Sequence, residues 1–284
     1  MVHVIVKVIK FIENIDKYDL VLYNIYCILE RGIYMNKIEM ENYINQIIDI
    51  WEKESLNNTI LEAKMQHSKR VAQYIQLITE TQSDSFYGWV HDIGRIEQYH
   101  KIKCFDDNKY NHGIAGIDYI YKNNIQFLKD FEEAKDIIKY HSNYNTVPED
   151  KKTHLLYCVT IADQLDNALT CKNYILEEEK NNSKNFIKAN YFSSYFLEGI
   201  NNHNIYLDKK ECNTYLDYFY FAFTLLLRSL DNKDIRKILN ATKSEEMQSS
   251  FDFFQELFEK RLDGEIRDKV LDIIKMARKD IWHK

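Results

Sequence analysis

Four histidines and two aspartates, His67, His91, Asp92, His112, His141 and Asp163, recur at separations of roughly 20 to 30 residues. That interval is expected when successive helices each send a side chain to one shared centre. Imidazole and carboxylate groups suit borderline or hard divalent cations such as Mn2+, Fe2+, Co2+, Ni2+ or Zn2+, and a set without cysteine argues against a thiolate site. Six donors exceed the needs of one tetrahedral ion. Two ions bridged by Asp92, about 3.5 to 4 Å apart, would use them all and leave positions open for water and substrate.

The pair His91-Asp92 within Val90-His91-Asp92-Ile93-Gly94-Arg95 is the centre of this pattern. Adjacent helical residues point about 100° apart, so both can face the interior only where the helix is enclosed on two sides. A buried cation would supply the reason. His67 alone reads more readily as a core histidine than as a ligand; its companions change that reading. Asp163 falls in mid-helix, where a buried carboxylate needs a partner, because an unpaired charge costs several kcal/mol or is neutralised.

The elements that must position these groups are helical. Apolar residues at three- and four-residue intervals predict helices over Lys37 to Trp51, Thr59 to Thr79, Phe127 to Tyr140 and Thr153 to Leu169. Ser83 or Asp84 is a candidate cap for a helix running to His91-Asp92, and Gly94 the candidate stop. Glu97 to Tyr110, ending in Asp106-Asp107-Asn108, reads as a loop bordering a pocket. A helix opens near Asn111 with His112 in its first turn, where Gly113, Ala115 and Gly116 allow close backbone approach. Beyond Cys171 a polar run, Glu177 to Asn185, marks a loop or subdomain boundary. Helices resume over Tyr191 to Ile200, Asn213 to Leu230, Ser244 to Arg261 and Ile266 to Trp282.

Composition agrees with an all-α class. One proline and seven glycines in 284 residues leave few tight turns, and 45 % hydrophobic residues can bury a sizeable core. The expected organisation is an N-terminal extension over 1–36, a helical metal-binding core over 37–175, and a helical C-terminal part over 176–284 packed on that core. A net charge of −6 without a basic, aromatic-interleaved stripe gives no strong nucleic-acid signal. The cysteines Cys27, Cys104, Cys158, Cys171 and Cys212 contain no CxxC pair, which suits reduced thiols and a cytoplasmic setting. Charged residues interrupt the apolar N-terminus, and Tyr218 to Leu227 is too short to span a bilayer, so no membrane segment is expected. A homo-oligomer stays open.

The ordered pattern His67 … His91-Asp92 … Asp163 resembles the H…HD…D signature of the HD superfamily of metal-dependent phosphohydrolases, and His112 and His141 resemble the additions of its two-metal branches. The likeness covers Thr59 to Leu169, including Asn111-His112-Gly113 and Ala162-Asp163-Gln164-Leu165-Asp166. It implies an HD-type helical bundle with additional C-terminal helices. It further implies one ion on His67, His91, Asp92 and Asp163, and a second on Asp92, His112 and His141. Asp166 would orient a histidine ligand. Arg95 would either grip a substrate phosphate or form a salt bridge, with Gln98 and Lys101 weaker candidates for the same role. His100, His154, His203 and His283 fit no spacing. The implied activity is hydrolysis of a phosphate ester, in a nucleotide or cyclic nucleotide, by metal-activated water, Asp92 and Arg95 serving the reaction. The same superfamily also contains mixed-valence di-iron oxygenases, and a catalytically silent nucleotide-binding regulator is a third reading.

Overall fold

The computed structural model describes residues 37–105, 107, 109–142, 147–182, 184–230, 232–241 and 245–282. The extension expected over 1–36 lies outside these residues, as do Asp106, Asn108, Asn143 to Asn145, Ser244 and His283. Two compact units divide the chain, 1–42 and 43–284, and the packing described below lies within the second. Among the described residues there is no β-strand, only an isolated bridge between Ile187 and Thr214. The fold is all-α. No helix of these residues is long and apolar enough to cross a membrane.

Helix α1 is Lys37–Ser55 and α2 is Thr59–Thr79. Asn58 starts α2 by accepting the free amides of Ile60 and Leu61, and Glu80, at φ 56°, ends it. Its inner stripe, Leu61, Val71, Ile75 and Ile78, is buried, and His67 lies on that stripe. A 3₁₀ turn, Gln82–Asp84, leads into the short α3, Ser85–Val90, in which Asp84 takes the cap position without a capping bond. Trp51 of α1 is fully buried and donates its indole N–H to the Trp89 carbonyl at 3.0 Å, fixing the chain just before His91.

Gly94 is not the expected stop. Residues 91–93 form a turn, and Gly94 begins α4, Gly94–Ile102, which ends at the left-handed Lys103. The glycine answers a packing demand: a Cβ there would lie 1.8 Å from the His112 carbonyl oxygen and 2.5 Å from the Gly116 amide of α5, His112–Lys122. Much of the stretch read as a loop is therefore α4, whose buried Ile96 and Gln98 were hidden among polar neighbours. Asn111 caps α5 through the Ile114 amide at 3.0 Å.

The helix expected over Phe127 to Tyr140 is two, α6 at Gln126–Lys129 and α7 at Glu132–Tyr140. Two aromatic anchors account for the break. Phe127 stacks on Tyr43 at 4.5 Å, whereas Phe131 stacks on Phe86 at 5.7 Å, so the backbone turns between them. Helix α8, His154–Thr170, is capped by Thr153 and buried on nearly every side. It packs on α2 and α7, and also on three later helices: α11 at Tyr215–Leu230, α12 at Lys233–Ala241 and α13 at Glu245–Arg261.

The polar run after Cys171 contains a helix, α9 at Ile175–Lys180, anchored by the fully buried Ile175. Helix α10 is Ser194–Asn201, and α14, Gly264–Trp282, pairs with α13. Helix α12 escapes the periodicity argument because it is short, with Ile235 and Ile238 as its buried hydrophobics among the described side chains. Phe223 of α11 meets Phe251, Phe254 and Phe258 of α13 at ring separations of 5.4 to 6.1 Å, an aromatic packing surface between the two helices.

Replacing Gly94 with Ala should destabilise the chain by about 1 to 3 kcal/mol, because the new methyl group meets backbone rather than a movable side chain. Chemical denaturation of the metal-free protein checks this; an unchanged midpoint would contradict the packing role.

Candidate metal centre

The turn at 91–93 solves the orientation problem of the adjacent pair. Both α3 and α4 pack on α2, α3 also packs on α7, and α4 on α5. Walls thus stand on both sides of the corner, and His91 and Asp92 are 0 % and 2 % exposed. His67, His112 and His141 are equally enclosed, with Asp163 at the edge. The structure brings all six sequence-predicted donors together.

Two sets of atoms form around Asp92. On one side His67 Nε2 lies 3.1 Å from Asp163 Oδ1, 3.3 Å from His91 Nε2 and 3.6 Å from Asp92 Oδ2. His91 Nε2 lies 3.8 Å from Asp163 Oδ1 and 4.0 Å from Asp92 Oδ2. On the other side Asp92 Oδ1 lies 3.5 Å from His112 Nε2 and 3.6 Å from His141 Nε2, which are 3.1 Å apart. Ligands at 2.0 to 2.2 Å from an ion stand about 3 to 3.6 Å from one another around it, so both sets are close to coordination spacing. His91, Asp92 and His141 also gather their donor atoms within 4.8 Å, placing His91 between the sets. A groove of about 680 Å³ elsewhere, walled by Tyr43, Ile50 and Phe127, contains none of these donors.

The other ring nitrogens settle which atoms are free to bind. His67 Nδ1 faces Asp166 Oδ2 at 2.7 Å, His91 Nδ1 the Gly88 carbonyl at 2.7 Å and His112 Nδ1 the Asp107 carboxylate at 2.6 Å. His141 Nδ1 faces the Ile137 and Ile138 carbonyls at 3.1 and 3.2 Å. Carbonyl and carboxylate oxygens only accept, so Nδ1 carries the proton and each neutral ring turns a lone pair inward from Nε2. When both Nε2 atoms of such a pair are unprotonated, their lone pairs, 3.1 to 3.3 Å apart, repel, and a cation relieves that repulsion. The donor set therefore fits divalent ions.

Charge reinforces the arrangement. Burial pushes the Asp92 carboxyl up, but Lys64, Arg95 and His91 hold it well below the usual carboxylate range. His67 and His91 do the same for Asp163 against burial. Burial lowers His91, and brings His112 down to about 4 despite its bond to Asp107. His67 goes the other way: burial and Lys64 depress it, but bonds to Asp163 and Asp166 prevail and raise it above 6.5.

Residues 65–168 match the family model of the HD domain. This segment is an HD domain. It contains all six donors, and HD domains are as a superfamily metal-dependent phosphohydrolases. No curated protein and no solved structure matches the chain.

Several contributors escape a search by residue type. Lys64 Nζ lies 3.2 Å from Asp92 Oδ2. Arg70 grips Asp166 through Nε at 2.6 Å and Nη2 at 2.9 Å, extending the chain of contacts from His67 outward. Thr160 of α8 donates to the His141 carbonyl at 3.0 Å. One signal was available: Arg70 follows His67, and Asp166 follows Asp163, by one helical turn on the same faces. Asp166 itself stands where an orienting residue was expected. Arg95 forms the salt bridge, with Nη1 2.8 Å from Gln98 and 3.0 Å from Asp107, and Nε 3.4 Å from Asp92 Oδ1. Lys101 instead lies 4.0 Å over the Tyr110 ring. His100 pairs with Glu54 at 2.8 Å and His154 faces Cys158 at 3.5 Å, both apart from the cluster.

Asp166→Ala should weaken divalent-ion affinity by about 10- to 100-fold by freeing the His67 ring, and Arg70→Ala by less. Titration calorimetry with Mn2+ measures both, and full affinity in Asp166→Ala would contradict the orienting role. The pH dependence has a definite sign. A raised His67 contributes to metal-free stability fully below 6.5, and that contribution disappears as pH rises through the raised value. An ion must displace the same proton, so affinity should climb by up to about tenfold per pH unit across that window and then level off.

Proposed function

We propose that the chain is a divalent-metal-dependent phosphohydrolase acting on a phosphate ester of the nucleotide or cyclic-nucleotide class. His67, His91, Asp92 and Asp163 hold one ion, and Asp92, His112 and His141 the second. The observation that carries this reading is the division of Asp92, whose Oδ2 faces one donor set and Oδ1 the other inside an HD domain. Ions bound there lower the pKa of coordinated water toward neutrality and draw charge from the phosphoryl oxygens.

The protein supplies position and charge. Asp92 stays ionised at neutral pH and so keeps both its oxygens as donors. Lys64, 20 % exposed and tethered to Asp92, carries its ammonium to the rim, where it can meet a phosphoryl oxygen. Arg95 acts through charge rather than a two-pronged grip, because Nη1 is committed to Gln98 and Asp107. Buried side chains around the donors exclude bulk water and so strengthen each electrostatic contact.

Asp92→Ala should lose both ions and lower turnover by roughly three orders of magnitude or more. Arg95→Ala should cause a smaller loss, about 10- to 100-fold. The assay is metal content plus hydrolysis of a panel of phosphodiesters, nucleotides and cyclic dinucleotides with Mn2+. Undiminished hydrolysis by metal-depleted Asp92→Ala would refute the proposal.

A further inference from the structure

Phe105 lies between α4 and α5, in the polar stretch from Lys103 to Tyr110. Its backbone is held from both sides. Lys103 ends α4 in the left-handed conformation, at φ 57°. Two residues beyond Phe105, Asp107 accepts from Arg95 Nη1 at 3.0 Å and Gln98 Nε2 at 3.0 Å, and meets the His112 ring at 2.6 Å. The Phe105 side chain is half-buried, and its ring lies 6.0 Å from that of Tyr99.

Solvent approaches the metal donors past few side chains. His67, His91, Asp92, His112 and His141 are nearly sealed, whereas the Asp163 side chain is 15 % exposed. Lys64 and Arg95, with side chains 20 % and 14 % exposed, pair with the two oxygens of Asp92 at 3.2 and 3.4 Å. Asp163, Lys64 and Arg95 thus line the mouth of the centre. Phe105 stands at that mouth, for the Lys64 ammonium and the Arg95 guanidinium each lie 5.6 Å over its ring. Asp92 holds both cations, and Gln98 and Asp107 hold Arg95 as well, so the ring meets them in a fixed place.

A phenyl ring offers nothing to phosphoryl oxygens. What it can recognise is the organic group that a phosphate carries, because aromatic pairs attract in offset or edge-on arrangements at ring separations of about 4.5 to 7 Å, beyond what apolar burial alone supplies. The two cations sharpen that choice: ammonium and guanidinium groups are drawn to the face of a π system and gain nothing comparable from a saturated ring. Taking the phosphohydrolase reading as its basis, we propose that Phe105, with Lys64 and Arg95 beside it, forms a subsite for a planar aromatic group attached to the substrate phosphate. A nucleobase has that chemistry, and alkyl or sugar phosphates lack it. Phe105 then selects the substituent, and the ions act on the phosphorus.

Binding tests this without requiring turnover. The Mn2+-loaded full chain is titrated calorimetrically with methylphosphonate, cyclohexylphosphonate and phenylphosphonate. Phenylphosphonate should bind about tenfold tighter than methylphosphonate, with cyclohexylphosphonate, a ring of the same size that is not flat, clearly weaker than phenylphosphonate. In Phe105→Ala the ratio of phenyl- to methylphosphonate affinity should fall by about fivefold or more, and Phe105→Trp, which restores a larger flat ring, should keep it. The ratio cancels any change in how the phosphonate group itself is held. Equal affinity for the phenyl and cyclohexyl compounds, or a phenyl preference that survives in Phe105→Ala, overturns the inference. A preference that depends on Phe105 in a chain hydrolysing no phosphate ester would sustain the aromatic subsite and remove the hydrolase reading, so the two failures are distinct.

Discussion

Four imidazoles commit their Nδ1 protons outward and turn their Nε2 lone pairs toward two carboxylates, and the rest of the HD domain serves that constraint. Each outward proton has fixed acceptors: backbone carbonyls for His91 and His141, and an aspartate each for His67 and His112. None of the rings can flip without losing a bond in a buried setting, where an unmade hydrogen bond costs about 1 to 3 kcal/mol. The inner lone pairs are thereby preorganised for a cation before one arrives.

This constraint explains why the helices cross so closely. Gly88 of α3 admits the α2 backbone, for a Cβ there would stand 2.3 Å from the Cα of Ala72, and Gly94 brings α4 onto α5 in the same manner. Both crossings flank the His91-Asp92 turn and set how far His67 and His112 stand from it. Helix α8 completes the cluster with Asp163 and Asp166, and its burial beneath α11, α12 and α13 makes the C-terminal helices part of the same packing.

The convergence of the six donors was legible in the sequence because each lies on or next to a helical stretch that could be read, or at a capped start such as that after Asn111. The boundaries of α2 could be read to the residue for the same reason. Gly94 shows the limit: glycine signals either a left-handed stop or a close crossing, and only the position of α5 decides between them. The break after Lys129 and the short α12 depend on distant aromatic or aliphatic partners, which local spacing does not register. Lys64 and Thr160 were invisible because their roles come from three-dimensional neighbours rather than from unusual chemistry, whereas Arg70 left only the signal of its one-turn spacing from His67.

Positive charge also stands beside the centre. Lys64 pairs with one oxygen of Asp92 and Arg95 with the other, and both cations lie 5.6 Å from the Phe105 ring. The most direct test of the central claim is a crystal structure of the Mn2+-loaded chain with anomalous scattering at the manganese edge. The account predicts two peaks about 3.5 to 4 Å apart, one on each side of the Asp92 carboxylate. A single peak, or peaks that leave Asp92 without a metal contact, would contradict it.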